Sequence, residues 1–217
     1  MIPGYDIIEE LAADELHGLY RGRRQGEAGT VLIKAPLTLL PRASEIAALK
    51  REFEILKSLP ITGIARADAW IESDRGCVLA LEDPGGVLLQ SLAGAERPKL
   101  AFVLDIAIQV AATLAELHRR DIVYRNVTPR AILIDTSGRT QLIDFSNAAR
   151  GPAEASIPLP RHYYRTRLPY AAPEQTGRMN RIVDYRADFY SFGVVLYELL
   201  TGARPFNSDD PLELTHA

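Results

Sequence analysis

Cysteine is almost absent from this 217-residue chain: Cys77 is the single one. No internal disulfide can form, and a reducing compartment is expected. Lysine is scarce as well; of 25 basic residues, 4 are Lys and 21 are Arg, which reads as surface chemistry. Neither charge dominates, because the formal net charge is only −3. That excludes a global basic field for non-specific nucleic-acid binding. Long apolar runs are missing too. Leu100–Leu117 is broken by Asp105, Gln109 and Glu116, and Phe189–Leu200 by Gly193 and Glu198. Neither is expected to cross a bilayer. Met1–Glu10 carries acids and no basic residue, unlike the start of a secretory signal. Repeats and low-complexity tracts are absent. The expectation is a cytoplasmic protein with neither nucleic acid nor membrane as a partner.

What is present is ordinary globular composition, 47% hydrophobic and 24% charged. It excludes a disordered or collagen-like chain and fits one domain or two small lobes. The first third reads as short strands at Tyr5–Glu10, Leu19–Arg23 and Thr30–Ala35, with a Gly26–Gly29 connection. Pro41–Leu59 carries Ile46, Leu49, Phe53, Leu56 and Leu59 at helical steps. Further strands are expected at Ala67–Glu72 and Cys77–Leu81, before Pro84-Gly85-Gly86 breaks the pattern. Cys77 sits in one of these apolar strands, so it reads as core rather than as a reactive thiol.

Beyond that break the chain turns helical. Val103, Ile106, Val110, Leu114 and Leu117 mark one face of a long amphipathic helix, with His118 read as its cap. Ala131–Ile134 and Thr140–Ile143 form a hairpin through Thr136-Ser137-Gly138. The loop from Arg150 to Pro173 is too long for a mere connector and reads as functional. Asp188–Gly202 is so apolar that burial all round is expected. Strands first and helices second imply two lobes, residues 1–83 and residues 84–217.

Chemistry-bearing residues follow in a fixed order. Val31-Leu32-Ile33-Lys34 is a strand ending in lysine, and Glu52 lies on the first helix. Taken alone, both could be surface residues. Tyr124-Arg125-Asn126 then precedes the hairpin, Asp144-Phe145-Ser146 follows it, and Ala172-Pro173-Glu174 closes the long loop. Asp188 opens the apolar helix. The ordered set resembles the protein-kinase signature over the whole chain. The resemblance implies an α+β fold of two lobes. One is a small antiparallel β lobe with one helix. The other is a mainly helical C-lobe, expected to be incomplete after the buried apolar helix.

By that resemblance Lys34 would hold nucleotide phosphates, Glu52 would orient Lys34, and Asp144 would bind Mg²⁺. Arg125 would sit under the activation segment, and Asp188 would tie the catalytic loop to the buried helix. Glu174 would be structural, and Leu56, Tyr124 and Phe145 match the family's hydrophobic spine. Leu32, Glu82, Pro84 and Leu133 would surround the adenine. Residues 170–202, with Glu82-Asp83 before Gly85-Gly86, also resemble a narrower subgroup. It is the kinase-like domain of large bacterial and fungal sensor proteins, where it precedes an AAA-type ATPase region, a GAF domain and a histidine kinase. Those downstream ATPase or histidine kinase regions are the expected signalling partners.

The departures from the family pattern decide the expected chemistry. Asn126 stands at the catalytic-aspartate position and cannot accept a proton near neutral pH. Ala131 replaces a metal-binding asparagine, and Thr128 replaces the catalytic-loop lysine. Leu11–Leu19, where the glycine-rich loop should lie, has Ala12, Asp14 and His17 at the glycine positions. Leu32 replaces a small residue facing the base. With Leu81 as gatekeeper, Pro84 offers no N–H to adenine. Arg167 replaces a threonine, and Thr166 a glycine.

A pseudokinase with signalling or scaffolding duty is therefore expected, with weak ATP binding and Mg²⁺ held only through Asp144. The alternatives are an active serine/threonine kinase with displaced catalytic groups, or a non-functional fragment ending inside a loop or helix. The four histidines show no metal-ligand spacing. The Arg161–Arg167 run reads either as a solvated loop or as a docking patch for an acidic partner.

Overall fold

The computed structural model describes residues 2, 4–38, 40–73, 76–92, 97–157, 167–177 and 181–206. The basic aromatic run up to Thr166 and the Glu213–Ala217 segment lie outside these residues. Five strands build the first sheet: β1 (Tyr5–Ala13), β2 (His17–Arg24), β3 (Thr30–Pro36), β4 (Ala67–Ser73) and β5 (Gly76–Glu82). All pairs are antiparallel, in the order β1-β2-β3-β5-β4. The period of two sorts the central strands into two faces. Ile33, Ala35, Val78 and Ala80 pack outward beneath Tyr5. Leu32, Leu79 and Leu81 pack inward in the main core.

Helix α1 (Ala43–Ser58) lies against the inner face and buries Leu49, Glu52, Ile55 and Leu56. Its spacing of three and four residues places a carboxylate inside the apolar stripe. The Arg42 N–H donates to Glu45 at the helix start, 3.3 Å.

The hinge is fixed by an arginine from the sheet. Arg21 Nε on β2 donates to Asp83 Oδ2 at 2.7 Å, and its Nη2 donates to the Gly86 carbonyl at 2.8 Å. Gly86 has φ +87°, and a Cβ there would lie 1.9 Å from the Ile134 carbonyl oxygen. Only glycine fits this approach of the linker to the second lobe.

The second lobe begins with β6 (Val87–Leu88) and α2 (Leu100–Arg119). Small strands β7 (Ile122–Val123), β8 (Ile132–Ile134), β9 (Thr140–Leu142) and β10 (Ala149–Arg150) follow. The short helix α3 (Gly151–Ala155) and the long helix α4 (Arg186–Thr201) complete it. Strands order as β6-β8-β9 and β10-β7. By length and composition α2 is apolar enough to cross a membrane. Here its stripe of Val103, Ile106, Val110, Leu114 and Leu117 is core of the second lobe.

Two expectations need correction. α4 is not buried all round: Ala187, Asp188, Ser191, Phe192, Val194, Val195 and Leu199 are inside, while Phe189, Tyr197 and Leu200 stay exposed. One face of the helix meets the lobe, and apolar composition alone does not report facing. His118 does not cap α2; its ring turns to Asp188, 2.8 Å away, and packs edge-on against Phe189.

Candidate active site

Lys34 reaches the cleft because it shares a strand face with Leu32 on β3. Its Nζ donates to Glu52 Oε2 at 2.6 Å and also to Asp144 Oδ1. Glu52 is fully buried, and its other oxygen accepts the Phe145 N–H at 2.7 Å. The strand lysine, the helix carboxylate and the Asp144 segment are thus one linked unit. Burial alone would pull the Lys34 amine down, but Asp144 and Glu52 outweigh it and hold the amine above its ordinary range.

Two non-glycine residues of this region adopt left-handed backbone, Arg125 at φ +59° and Asp144 at φ +62°. Such conformations cost about 1–3 kcal/mol each and need surrounding support. Asp188 supplies it for Arg125. Its Oδ1 accepts the Arg125 N–H at 2.7 Å, and its Oδ2 accepts the Tyr124 N–H at 2.9 Å. Arg125 also donates from Nη2 to the Ile157 carbonyl at 2.6 Å, and burial lowers its guanidinium to about 10. The Tyr124 and Phe145 rings pack tilted at 53° with centroids 4.8 Å apart, in one core cluster with Leu56.

The cleft is lined by Ala12, Leu19, Lys34, Leu81, Asn126, Thr128, Arg130, Ala131 and Asp144, together with Asp14, His17 and Arg167. Its enclosed space is about 50 Å³, whereas pockets for drug-sized ligands hold about 300–1,000 Å³. Asn126 donates from Nδ2 to the Asp144 carbonyl at 2.8 Å. Leu32 and Leu81 are cross-strand partners and both are buried. Leu133 is buried in β8. Glu82 is exposed, and with Pro84 it lines a separate depression beside Ile61, Arg66 and Gln141.

Three side chains do more than their sequence positions suggest. Asp14 Oδ1 accepts the N–H groups of Leu16 and His17, both at 2.8 Å, so the tip of the β1–β2 turn is satisfied by its own carboxylate. Arg130 donates to the Ala13 carbonyl, joining the second lobe to that turn. Arg167 Nη2 donates to Asp144 Oδ2 at 2.6 Å and lies 3.5 Å from Asp14 Oδ2. Burial would raise the Asp144 carboxyl, but Arg167 and then Lys34 hold it well below the usual carboxylate range. The Arg167 substitution is visible in the sequence, but its partner is not. Arg130 carried no sequence signal.

This two-lobed architecture, with a buried lysine–glutamate pair beside a half-buried aspartate, is that of a phosphoryl-transfer fold. The protein kinase domain model matches residues 18–216, and the chain belongs to that family. It is 30% identical over 210 residues to serine/threonine-protein kinase 36 of Pongo abelii, covering 97% of this chain and 16% of that protein. A probable serine/threonine-protein kinase of Clostridium acetobutylicum is 29% identical over 205 residues, 87% of this chain and 31% of its own length. PknL of Mycobacterium tuberculosis is 40% identical over 114 residues, 52% of this chain and 28% of its own length. The chain thus spans less than a third of each of these relatives.

Kinase domains as a family bind ATP and Mg²⁺. The residues present here do not fit the metal. Both Asp144 oxygens are engaged, Oδ1 by Lys34 and Ser146 and Oδ2 by Arg167. Ala131 lines the cleft without a side-chain oxygen. Among the described residues no three His, Cys, Asp or Glu side chains converge as a metal site requires.

Proposed function

We propose that this domain is a pseudokinase: a kinase fold that regulates or scaffolds signalling and does not transfer phosphate. The observation that carries this reading is the state of Asp144, whose carboxylate is held by Lys34, Arg167 and Ser146. Asn126 supports it, since an amide cannot serve as general base, a role worth about 10²- to 10⁴-fold. Asp14 supports it too, by occupying the turn N–H groups and adding negative charge where phosphates would approach. The partner is a protein. In the sensor-protein subgroup it is a downstream ATPase or histidine kinase region, and the setting is the cytoplasm.

Affinity for Mg·ATP is then no better than high micromolar. At ~1 mM ATP, a Kd of ~0.1 mM adds only about 1.4 kcal/mol to stability. Thermal melting with and without Mg·ATP reads this directly, and stabilisation well above that value argues against the proposal. One observation favours the rival, an active serine/threonine kinase: the Lys34–Glu52 pair is closed at 2.6 Å. Autophosphorylation from labelled ATP, abolished by Lys34→Ala, would identify that rival.

A further inference from the structure

Arg167 stands at the start of the 3₁₀ turn Leu168–Tyr170 and is 8% exposed. Its guanidinium meets Asp144 Oδ2 at 2.6 Å and approaches Asp14 Oδ2 at 3.5 Å. One cation therefore joins the aspartate of the second lobe to the β1–β2 turn of the first. The other Asp144 oxygen is taken by Lys34 and by Ser146 Oγ at 2.7 Å.

The charges around this point balance without any metal. Lys34, Arg130 and Arg167 face Asp14, Glu52 and Asp144 across the closed cleft. A divalent ion at Asp144 would add two positive charges to a neutral, largely buried cluster, next to a guanidinium. It would also find no second oxygen ligand at Ala131.

We propose that Arg167 is the resident cation of the cleft. Its guanidinium occupies the place on Asp144 that a divalent metal would take, and the domain thereby excludes Mg²⁺ by charge. The proposal rests on the reading of a domain silent in phosphoryl transfer. It goes further by naming the residue that replaces the metal and the direction of the effect: Mg²⁺ competes with Arg167 instead of assisting a nucleotide.

Mn²⁺ is the probe, followed by water-proton relaxation on the full chain. The unmodified chain is expected to show no Mn²⁺ binding that depends on Asp144. Arg167→Gln is expected to bind Mn²⁺ at least about tenfold more tightly than the unmodified chain, and adding Asp144→Asn should remove the gain. Arg167→Lys keeps the charge and should stay blind to Mn²⁺; this variant and the unmodified chain decide the matter if Arg167→Gln does not fold. The melting temperature with ATP should be the same in excess Mg²⁺ as in EDTA.

Mn²⁺ binding by the unmodified chain that Asp144→Asn weakens overturns the proposal. So does a folded Arg167→Gln variant without the gain, a gain in Arg167→Lys, or an ATP effect that Mg²⁺ enlarges. Metal binding without phosphate transfer defeats this inference alone. Phosphate transfer defeats the pseudokinase reading itself.

Discussion

Asp188 Oδ1 accepts the backbone N–H of Arg125 at 2.7 Å, pinning a residue with φ +59° to the first turn of α4. The same carboxylate holds the Tyr124 N–H and the His118 ring. One side chain thereby fixes the end of α2, the loop before β8 and α4. Asp188→Ala strands two buried N–H donors, each costing about 1–3 kcal/mol. A loss of about 3–5 kcal/mol in urea denaturation is expected, with Asp188→Asn losing less. A loss below about 1 kcal/mol would show that Arg125 holds its backbone unaided.

The Lys34–Glu52 pair is buried on both sides. Lys34→Met leaves the Glu52 carboxylate without its cation, and a destabilisation of about 3–5 kcal/mol is expected. Adding Glu52→Leu should restore much of it, because the uncompensated charge is then gone. A cost of about 1 kcal/mol or less for Lys34→Met would instead mean that water reaches the pair.

His17 supplies a pH signature. It is 3% exposed, and burial, followed by the nearby Lys34, lowers it to about 4. Asp14 and Asp144 pull the other way, and Arg167 adds to the lowering. The folded state keeps the imidazole neutral, so below pH 6.5 the unfolded chain takes up a proton first. His17 therefore costs nothing above about pH 6.5 and destabilises the fold progressively as pH falls toward 4. The total is about 3 kcal/mol. His17→Gln should flatten this part of the stability profile relative to the unmodified chain. Parallel profiles between pH 7 and 4 would contradict it.

Much of the fold is legible in residue order. Period two along β3 and β5 and helical spacing in Pro41–Leu59 predict the sheet and α1, observed at Ala43–Ser58. Asp188 is legible as the tie to Arg125, because the surrounding motif fixes its place. The closure of the cleft is not legible. Arg167 and Asp144 lie far apart in sequence, and nothing local tells a guanidinium which carboxylate it will meet. Asp14 reads as an obstacle to phosphate, yet its use as acceptor for the Leu16 and His17 N–H groups emerges only once the turn is formed. The exposed face of α4 escaped for a related reason: an all-round apolar sequence carries no periodicity to say which side is covered.

Restoring the two missing catalytic side chains should not restore an enzyme. Asn126→Asp with Ala131→Asn returns a base and a metal oxygen. Arg167 still sits on Asp144, and Asp14 still fills the turn. Phosphate transfer by the double variant is expected to stay far below that of an active kinase, whose kcat is about 1–100 s⁻¹. Transfer within that range would mean that these two obstacles yield to nucleotide.

The most direct measurement is transfer of labelled γ-phosphate from ATP to the chain itself and to a generic protein substrate, with Mg²⁺ and separately with Mn²⁺. Incorporation no higher than in a Lys34→Ala control is the expected result. Robust turnover by the unmodified chain, abolished by Asp144→Ala, would contradict the pseudokinase reading.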